Sequence, residues 1–255
     1  MSKTHGNFVW HDLMTGDCKA AATFYRSILG WEANDAGMAD HSYTLLSVGP
    51  TMIGGLMPIP ADAFAMGARP CWTGYVAVDD VDAYAERVKA VGGAIHRGPA
   101  DIPGVGRFAV VADPHGAVFI LFKGTTDQQP APATPERPGH VCWRELHAGN
   151  AEEAFAFYSG LFGWTKTEGY PIGSMGTYQT FATGGERCGG MMTRMPQTPG
   201  PFWLYYFSVE AIDAAATKVK DGGGQIIHGP MEVPGGRIVH CLDPQGAMFG
   251  LTAHA

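Results

Sequence analysis

The sequence predicts an α+β protein made of four strand–helix–strand–strand–strand modules, which are arranged as two tandem repeats. Two recurring motifs reveal the repeats. The segment FYRSILGW at residues 24–31 matches FYSGLFGW at residues 157–164, an offset of 133 (157 − 24). The segment DPHGAVF at residues 113–119 matches DPQGAMF at residues 243–249, an offset of 130 (243 − 113). Because the register changes so little across more than a hundred residues, the two halves indicate an internal duplication.

The duplication predicts two domains, residues 1–123 and 139–255, on either side of a Pro-rich linker at residues 124–138. The composition agrees with many short elements and tight turns, because 36 of the 255 residues are Gly and 18 are Pro. A semi-extended linker does not dictate docking, so module 1 could pair either with module 2 or with module 4. The four modules are expected at about residues 7–57, 72–122, 139–195 and 202–253.

Each module is predicted to open with a strand, namely FVWHDLM, WTGYVAV, VCWRELH and WLYYFSV. A helix follows each strand, because apolar residues recur at positions i, i+3, i+4 and i+7 and form one apolar stripe. Asp17 and Asp80 are placed to accept hydrogen bonds from the first helical amides. Glycines are expected to end the helices, at Gly30, Gly92, Gly163 and Gly223. The four stripes are Ala21-Phe24-Tyr25-Ile28, Val81-Tyr84-Ala85-Val88, Ala154-Phe157-Tyr158-Leu161 and Ile212-Ala215-Ala216-Val219.

About three further strands complete each module. The segment GRFAVVADPHGAVFILF predicts a β-hairpin whose type I turn opens at Asp113. Pro114 then takes the second turn position and Gly116 the fourth, where these residue types are favoured. The segment GRIVHCLDPQGAMFGL predicts the same hairpin at Asp243.

Composition limits the partners and the compartment. A formal net charge of −7 argues against nucleic acid and anionic membranes, because both require basic patches. The five cysteines are dispersed and form no CxxC pair, which is typical of reduced, mostly buried thiols. The first twenty residues lack the apolar run of a signal peptide, and no apolar run of about 18 residues occurs. We therefore expect a cytoplasmic monomer or homodimer whose partner is a small molecule.

The fourfold module pattern, the FY…LGW helix ends and the duplicated DPxGxxF hairpins resemble the vicinal oxygen chelate superfamily over nearly the whole chain. This superfamily contains glyoxalase I, extradiol dioxygenases, fosfomycin-modifying enzymes and bleomycin-binding resistance proteins. The resemblance implies that paired modules form curled mixed β-sheets, with the helices outside and a ligand on the concave face.

The resemblance also implies where metal ligands would lie. No residue at these positions is His, Glu, Asp or Gln, whereas a divalent metal needs three or four converging donors. We therefore expect no cofactor. A shifted register would keep a divalent metal possible, with Glu145 and His147 at i, i+2 as its beginning. The positions are Trp10, near Gly55, Thr73 and Ile120 in the first repeat, and Trp143, near Gly190, Leu204 and Gly250 in the second.

Two acids are the candidate catalytic residues, Asp12 and Glu145, each two residues after a Trp. With the strand phase that the resemblance implies, both project into the pocket. A carboxylate in an apolar pocket has a raised pKa and can act as a general acid or base. The alternatives are that each acid hydrogen-bonds a ligand, or that it accepts structural hydrogen bonds.

Half of the candidate ligand-binding residues are Trp or Tyr, because planar rings stack on planar ligands and offer N–H and O–H groups. Arginines after Gly-rich turns could clamp an oxyanion, or instead form surface salt bridges. For the aromatic residues the alternative is core packing. The candidates are Trp10, Trp143, Thr73, Tyr75, Tyr206, Arg107, Arg237 and His147.

Three functional hypotheses follow. The favoured one is a glyoxalase/bleomycin-resistance-like protein that binds a small aromatic or apolar molecule in a metal-free cleft. The second is a glyoxalase-like lyase, isomerase or related enzyme, which uses either Asp12 and Glu145 as metal-free acid and base or a divalent metal. The third is a non-catalytic scaffold. The sequence does not decide whether the protein is an enzyme.

Overall fold

A computed structural model describes residues 3–38, 42–125 and 137–254 of the chain. Within these residues the order strand, helix, three strands occurs four times, as the sequence predicts. The first module contains β1 (Phe8–Thr15), α1 (Cys18–Leu29), β2 (Glu32–Asp35), β3 (Thr44–Val48) and β4 (Thr51–Pro58). A short helix, α2 (Ala61–Ala65), leads to the second module, which contains β5 (Cys71–Ala77), α3 (Val81–Ala90), β6 (Ala94–Ile102), β7 (Gly106–Ala112) and β8 (Val118–Gly124).

The second repeat has the same element order. Its first module contains β9 (Val141–Ala148), α4 (Ala151–Phe162), β10 (Thr165–Pro171), a 3-10 turn (Gly173–Met175), β11 (Thr177–Thr183) and β12 (Glu186–Thr193). Its second module contains β13 (Phe202–Ser208), α5 (Ile212–Asp221), β14 (Gln225–Val233), β15 (Gly236–Leu242) and β16 (Met248–His254). The centre of the predicted linker, residues 126–136, lies outside the described residues.

The strands form two eight-stranded mixed sheets, one from each repeat. Their orders are β2-β3-β4-β1-β5-β8-β7-β6 and β10-β11-β12-β9-β13-β16-β15-β14. In each module the first strand pairs in parallel with the last strand, as β1 does with β4, while the hairpin partners are antiparallel. Parallel neighbours need a long crossover, which the helix of each module supplies. The predicted α+β fold of four modules in two tandem repeats is confirmed.

The helix ends follow the predicted chemistry. The Asp17 side chain accepts a hydrogen bond from the amide of Ala20 at 2.9 Å, and Asp80 caps α3 in the same way. Gly30 and Gly163 end α1 and α4 with φ angles of 71° and 72°, in the left-handed region that favours glycine. The sequence did not predict helix α2, which buries none of its residues. None of the described helices is long and apolar enough to cross a membrane.

The chain divides into two compact units, and each unit combines modules from different repeats. Unit 1 takes its described residues from Met1–Val9, Thr73–Gln129 and Arg144–Trp203, so it holds modules 2 and 3. Unit 2 takes its described residues from Trp10–Trp72, Pro130–Trp143 and Leu204–Ala255, so it holds modules 1 and 4. Strand order therefore joins modules 1 and 2 in one sheet, while module 1 shares its compact unit with module 4.

In unit 2 the two repeat motifs meet in a buried hydrogen-bond chain. The indole of Trp72 donates to the hydroxyl of Tyr25 at 2.9 Å, and this hydroxyl donates to Oδ2 of Asp243 at 3.2 Å. The other oxygen of Asp243 accepts the amides of Gln245 and Ala247 and so holds the DPQG turn. Burial raises the pKa of the Asp243 carboxyl and, together with that negative charge, raises the pKa of Tyr25. The helix motif of one repeat therefore stabilises the turn motif of the other.

Unit 1 repeats this chain with its own residues. The indole of Trp203 donates to the hydroxyl of Tyr158 at 3.2 Å, and this hydroxyl donates to Oδ2 of Asp113 at 3.3 Å. The tryptophans of the two LGW motifs, Trp31 and Trp164, are 2% and 1% exposed and donate to backbone carbonyls within their own units. Each unit thus buries a cluster of large aromatic rings whose polar atoms are hydrogen-bonded, as a stable core requires.

Candidate functional site

The first-repeat cluster consists of Trp10, Asp12, Tyr43 and Gly55, all in unit 2. The carboxylate oxygen Oδ1 of Asp12 accepts hydrogen bonds from the Trp10 indole at 2.9 Å and from the Tyr43 hydroxyl at 2.7 Å. The same indole N–H also lies 2.8 Å from the Tyr43 oxygen and so is shared between two acceptors. Asp12 is 2% exposed, whereas Trp10 is only half-buried. The side chains of Trp10 and Tyr43 are therefore hydrogen-bonded both to the buried carboxylate of Asp12 and to each other.

Strand pairing explains why this cluster needs a glycine. Residue 12 of β1 lies opposite Gly55 of the parallel strand β4. A Cβ atom at position 55 would overlap the Tyr43 hydroxyl and Oδ1 of Asp12. The phenol of Tyr43 thus fills the space in which a side chain from position 55 would stand.

Tyr43 acts as a permanent hydrogen donor in this cluster. Its pKa is raised far above its ordinary value, mainly by burial and further by the negative charge and the hydrogen bond of Asp12. The phenol therefore stays protonated at physiological pH, and its hydrogen bond to the carboxylate persists.

The second-repeat cluster consists of Glu145, His147, Tyr178 and Gly190, all in unit 1. The Tyr178 hydroxyl donates to Oε2 of Glu145 at 2.9 Å, and Nε2 of His147 lies 2.8 Å from Oε1 of the same carboxylate. This second contact has the distance of an ion pair without the alignment of a full hydrogen bond. Glu145 lies opposite Gly190 on the parallel strand β12, and a Cβ atom at Gly190 would overlap the Tyr178 ring. The tyrosine–carboxylate pair above a glycine thus occurs in both repeats.

A third tyrosine follows the same pattern in module 4. Tyr206 of β13 lies opposite Gly250 of β16, and a Cβ atom at Gly250 would overlap the Tyr206 ring. The Tyr206 hydroxyl lies 2.7 Å from Nε2 of His240. Its hydrogen-bond partner is therefore an imidazole, whereas Tyr43 and Tyr178 contact carboxylates.

Two predicted ligand-binding residues lie on β5 of unit 1. Thr73 is 5% exposed and Tyr75 is 8% exposed, and the Tyr75 ring makes an edge-to-face contact with Phe122. Trp143, at the start of the second repeat, is half-buried. These placements fit both ligand binding and core packing, the two alternatives given for the aromatic residues.

The predicted arginines instead take part in surface ion pairs. Arg107 donates to both carboxylate oxygens of Asp82 at 2.6 and 2.8 Å, and to Asp101 at 2.8 Å. Arg237 donates to both oxygens of Asp213 at 2.6 and 3.1 Å. Asp82 and Asp213 stand in the first turns of α3 and α5, where a negative charge is favourable. With their N–H groups directed at these acids, Arg107 and Arg237 match the surface salt-bridge alternative rather than an oxyanion clamp.

The sequence did not predict Tyr43 and Tyr178 as site residues, although a comparison of the two repeats contains a signal for them. Each tyrosine precedes the second glycine of its GG pair by the same distance, because 55 − 43 and 190 − 178 both equal 12. A tyrosine that recurs at a fixed distance from a duplicated glycine pair is a candidate partner for that glycine. The side chains between them vary, which hides the relation from motif searches.

The donor set at the family's metal positions does not fit a divalent ion. Gly55, Gly190 and Gly250 each lie under a tyrosine that fills the space above the Cα atom, and Ile120 and Leu204 are buried apolar residues. Within residues 3–38, 42–125 and 137–254, no group of three or more His, Cys, Asp or Glu side chains could hold a metal ion. The cluster carboxylates also have oxygens occupied by phenol donors. This chemistry suits hydrogen bonding better than metal coordination.

Comparison with known proteins identifies relatives along the whole chain. The profile of the family described as "Glyoxalase/Bleomycin resistance protein/Dioxygenase superfamily" matches residues 7–121 and 137–251. The chain is 33% identical over 250 residues to the "Putative glyoxylase CFP32" of Mycobacterium tuberculosis, covering 96% of this chain and 94% of the relative. It is 31% identical over 264 residues to the "Anthracycline biosynthesis protein DauV" of Streptomyces sp. strain C5, covering 95% and 91%.

Solved structures share the fold at low sequence identity. The Mn(II)-bound glyoxalase from Novosphingobium aromaticivorans superposes with a TM-score of 0.63 at 18% identity, covering 98% of this chain and 82% of that chain. The 2,3-dioxygenase LapB from Pseudomonas sp. KL28 superposes with a TM-score of 0.64 at 15% identity, covering 98% and 92%. At this identity the similarity concerns the architecture alone.

Proposed function

Because the chain belongs to the Glyoxalase/Bleomycin resistance protein/Dioxygenase superfamily, we propose that it binds a small planar aromatic molecule at its tyrosine–carboxylate clusters, without a metal ion. One observation carries the proposal. In both repeats a tyrosine hydroxyl donates to a buried carboxylate above a glycine, at 2.7 Å from Tyr43 to Asp12 and 2.9 Å from Tyr178 to Glu145. These clusters offer flat rings and oriented polar atoms, which planar ligands require.

The indole of Trp10 supports a planar ligand in the first repeat. Its N–H is held by both Asp12 and Tyr43, so the ring is fixed before any ligand arrives. A fixed, half-buried ring loses little conformational entropy on binding, and this preorganisation favours affinity. Two relatives are named for anthracycline biosynthesis, and anthracyclines contain a planar polycyclic quinone.

Isothermal titration calorimetry with anthraquinone-2-sulfonate tests the proposal. The wild-type protein, stripped of metals with a chelator, should bind this soluble planar quinone saturably. Tyr43→Ala and Tyr178→Ala should each remove one binding event, because each opens one cluster. Tyr170→Phe is the matched control, since Tyr170 contacts Glu168 and lies in neither cluster. If the wild-type protein shows no saturable binding, or if both alanine variants bind like wild type, the proposal is wrong.

A second candidate is a metal-free acid/base enzyme, which the buried Glu145–His147 pair favours. The relatives named putative glyoxylase suggest a 2-oxoaldehyde adduct as the substrate class to assay. If turnover of the hemithioacetal of methylglyoxal is found, Asp12→Asn and Glu145→Gln should together abolish it. Turnover that survives both substitutions would exclude these acids as the catalytic groups.

The proposed setting is a reducing cytoplasm, with the protein as a monomer or homodimer and neither nucleic acid nor membrane as a partner. All five cysteines are free thiols, which supports a reducing compartment. The net charge of −7 supports the absence of a nucleic-acid partner. Analytical ultracentrifugation with and without duplex DNA measures both the oligomeric state and this absence.

A further inference from the structure

Glu145 is the centre of the second-repeat cluster, and both of its carboxylate oxygens are engaged. Oε2 accepts the Tyr178 hydroxyl at 2.9 Å, and Oε1 lies 2.8 Å from Nε2 of His147. The side chains of Glu145 and His147 are each 8% exposed, so both groups are shielded from bulk water. A carboxylate held on both oxygens is suited to position a neighbouring side chain.

We propose that His147 recognises a phenolic or enolic hydroxyl of the ligand through its Nδ1 atom, and that Glu145 and Tyr178 position its imidazole. The inference rests on the proposed function, which it deepens by naming the ligand group. Nε2 of His147 is fully buried. Nδ1 makes no hydrogen bond within the described residues, and it keeps some exposed surface. Nδ1 is therefore the ring nitrogen that can reach a ligand.

The imidazole is also fixed in orientation by an aromatic neighbour. The ring of Phe202 stacks on that of His147, with 4.4 Å between the centroids and 5° between the planes. Carboxylate contact at one nitrogen and stacking on one face define both the direction and the plane of the ring. Such restraint is what a specificity-determining group needs, because a freely rotating imidazole recognises many geometries weakly.

The two repeats differ at this residue. The first repeat has Met14 two residues after Asp12, at the place where the second repeat has His147 two residues after Glu145. The first cluster therefore has a tyrosine–carboxylate pair without an imidazole two residues further along the strand. The duplicated binding clusters are thus expected to differ in one property, the ability to accept a hydrogen bond from a ligand hydroxyl at an imidazole nitrogen.

The recognition needs no covalent step. With the ring proton on Nε2, facing Oε1 of Glu145 at 2.8 Å, Nδ1 of His147 is the hydrogen-bond acceptor of the imidazole. The ligand hydroxyl donates to Nδ1 and its O–H bond stays intact. No oxidant or co-reactant is required.

Two dyes that differ by two hydroxyl groups test the inference. Anthraquinone-2-sulfonate is the parent, and alizarin red S carries two further hydroxyls on the same sulfonated skeleton. Isothermal titration calorimetry at pH 7, where the dihydroxy dye keeps one hydroxyl protonated, measures the affinity for both dyes on wild type, His147→Phe, His147→Met and His96→Phe. His147→Phe keeps a ring to stack on Phe202, His147→Met copies the first repeat, and the exposed His96 provides the control.

Wild type and His96→Phe should bind the dihydroxy dye about tenfold tighter than the parent. Both His147 variants should bring the ratio of the two affinities close to one. An unchanged ratio in folded His147 variants would overturn the inference and leave the proposed function standing. If neither dye binds to wild type, the proposed function fails for planar quinones, and this inference fails with it.

Discussion

The phenol of Tyr43 occupies the space that a side chain at position 55 would need. A substitution at Gly55 measures how much stability depends on this arrangement. In Gly55→Ala the new methyl group would overlap the Tyr43 hydroxyl and Oδ1 of Asp12. Over-packing of this kind costs about 1–3 kcal/mol. If the phenol is displaced, its hydrogen bonds to Trp10 and Asp12 are also weakened, at about 1 kcal/mol or more. We expect a total cost of about 3 kcal/mol.

A double-mutant cycle separates this overlap with Tyr43 from a general effect of the methyl group. Tyr43→Ala alone should also cost about 3 kcal/mol, because it removes a buried ring and the same hydrogen bonds. In the double variant the methyl group has room, so the cost should fall about 2 kcal/mol short of the sum of the single costs. Gly16→Ala is the control, because nothing lies within 4 Å of a Cβ atom at that position.

Thermal unfolding followed by circular dichroism measures the cycle. For a protein of this size, about 3 kcal/mol corresponds to a Tm decrease of roughly 6–12 °C. Gly16→Ala should remain within about 2 °C of wild type. A Gly55→Ala variant with wild-type Tm, or strictly additive effects in the double variant, would refute the view that Tyr43 fills the space above Gly55.

Three further predictions concern stability and reactivity. Gly160→Ala should raise the Tm by about 2–4 °C, because Gly160 lies inside helix α4 with open space around it; an unchanged or lower Tm would contradict this. Arg237 holds the pKa of Asp213 below its usual range, so this pair stabilises the fold above about pH 4 and the stabilisation is lost as the pH falls through the lowered pKa. Asp213→Asn should therefore flatten the acid side of the Tm profile between pH 3 and 6, and an identical profile would exclude the pair as its cause. Burial raises the pKa of the Cys241 thiol to about 12, so iodoacetamide at pH 8 should modify this thiol only after unfolding. Mass spectrometry of the labelled peptides measures this, and rapid labelling of Cys241 in the native protein would contradict its burial.

The fold was predictable from sequence because its signals are local and repeated. Helix stripes, capping acids and the DPxG turns depend on neighbouring residues, and the structure confirms the four modules they predict. The combination of modules 1 and 4 in one compact unit was left open, because it depends on contacts such as Tyr25 to Asp243, which are 218 positions apart. No local pattern encodes such a partnership. Helix α2 was missed because it buries no residues and so leaves no apolar stripe.

The candidate site was predicted only in part. The acids Asp12 and Glu145 and the residue His147 were identified from their spacing, and the structure places each of them in a tyrosine–carboxylate cluster. The tyrosines were missed because strand register, and not sequence proximity, brings them to the acids. Arg107 and Arg237 were candidates because they follow glycine turns, but helix acids lie close enough to bind both. A charged residue after a turn does not reveal which acid it will meet.

The most direct test of the account is metal content measured on the same sample that binds a ligand. Protein purified without a metal-affinity tag is analysed by inductively coupled plasma mass spectrometry and then titrated with anthraquinone-2-sulfonate. The account predicts far less than one equivalent of Mn, Fe, Ni or Zn per chain, and an affinity that added metal does not change. One equivalent of a divalent metal, with binding lost on its removal and restored on its return, would contradict the central claim that these clusters bind their ligand without metal.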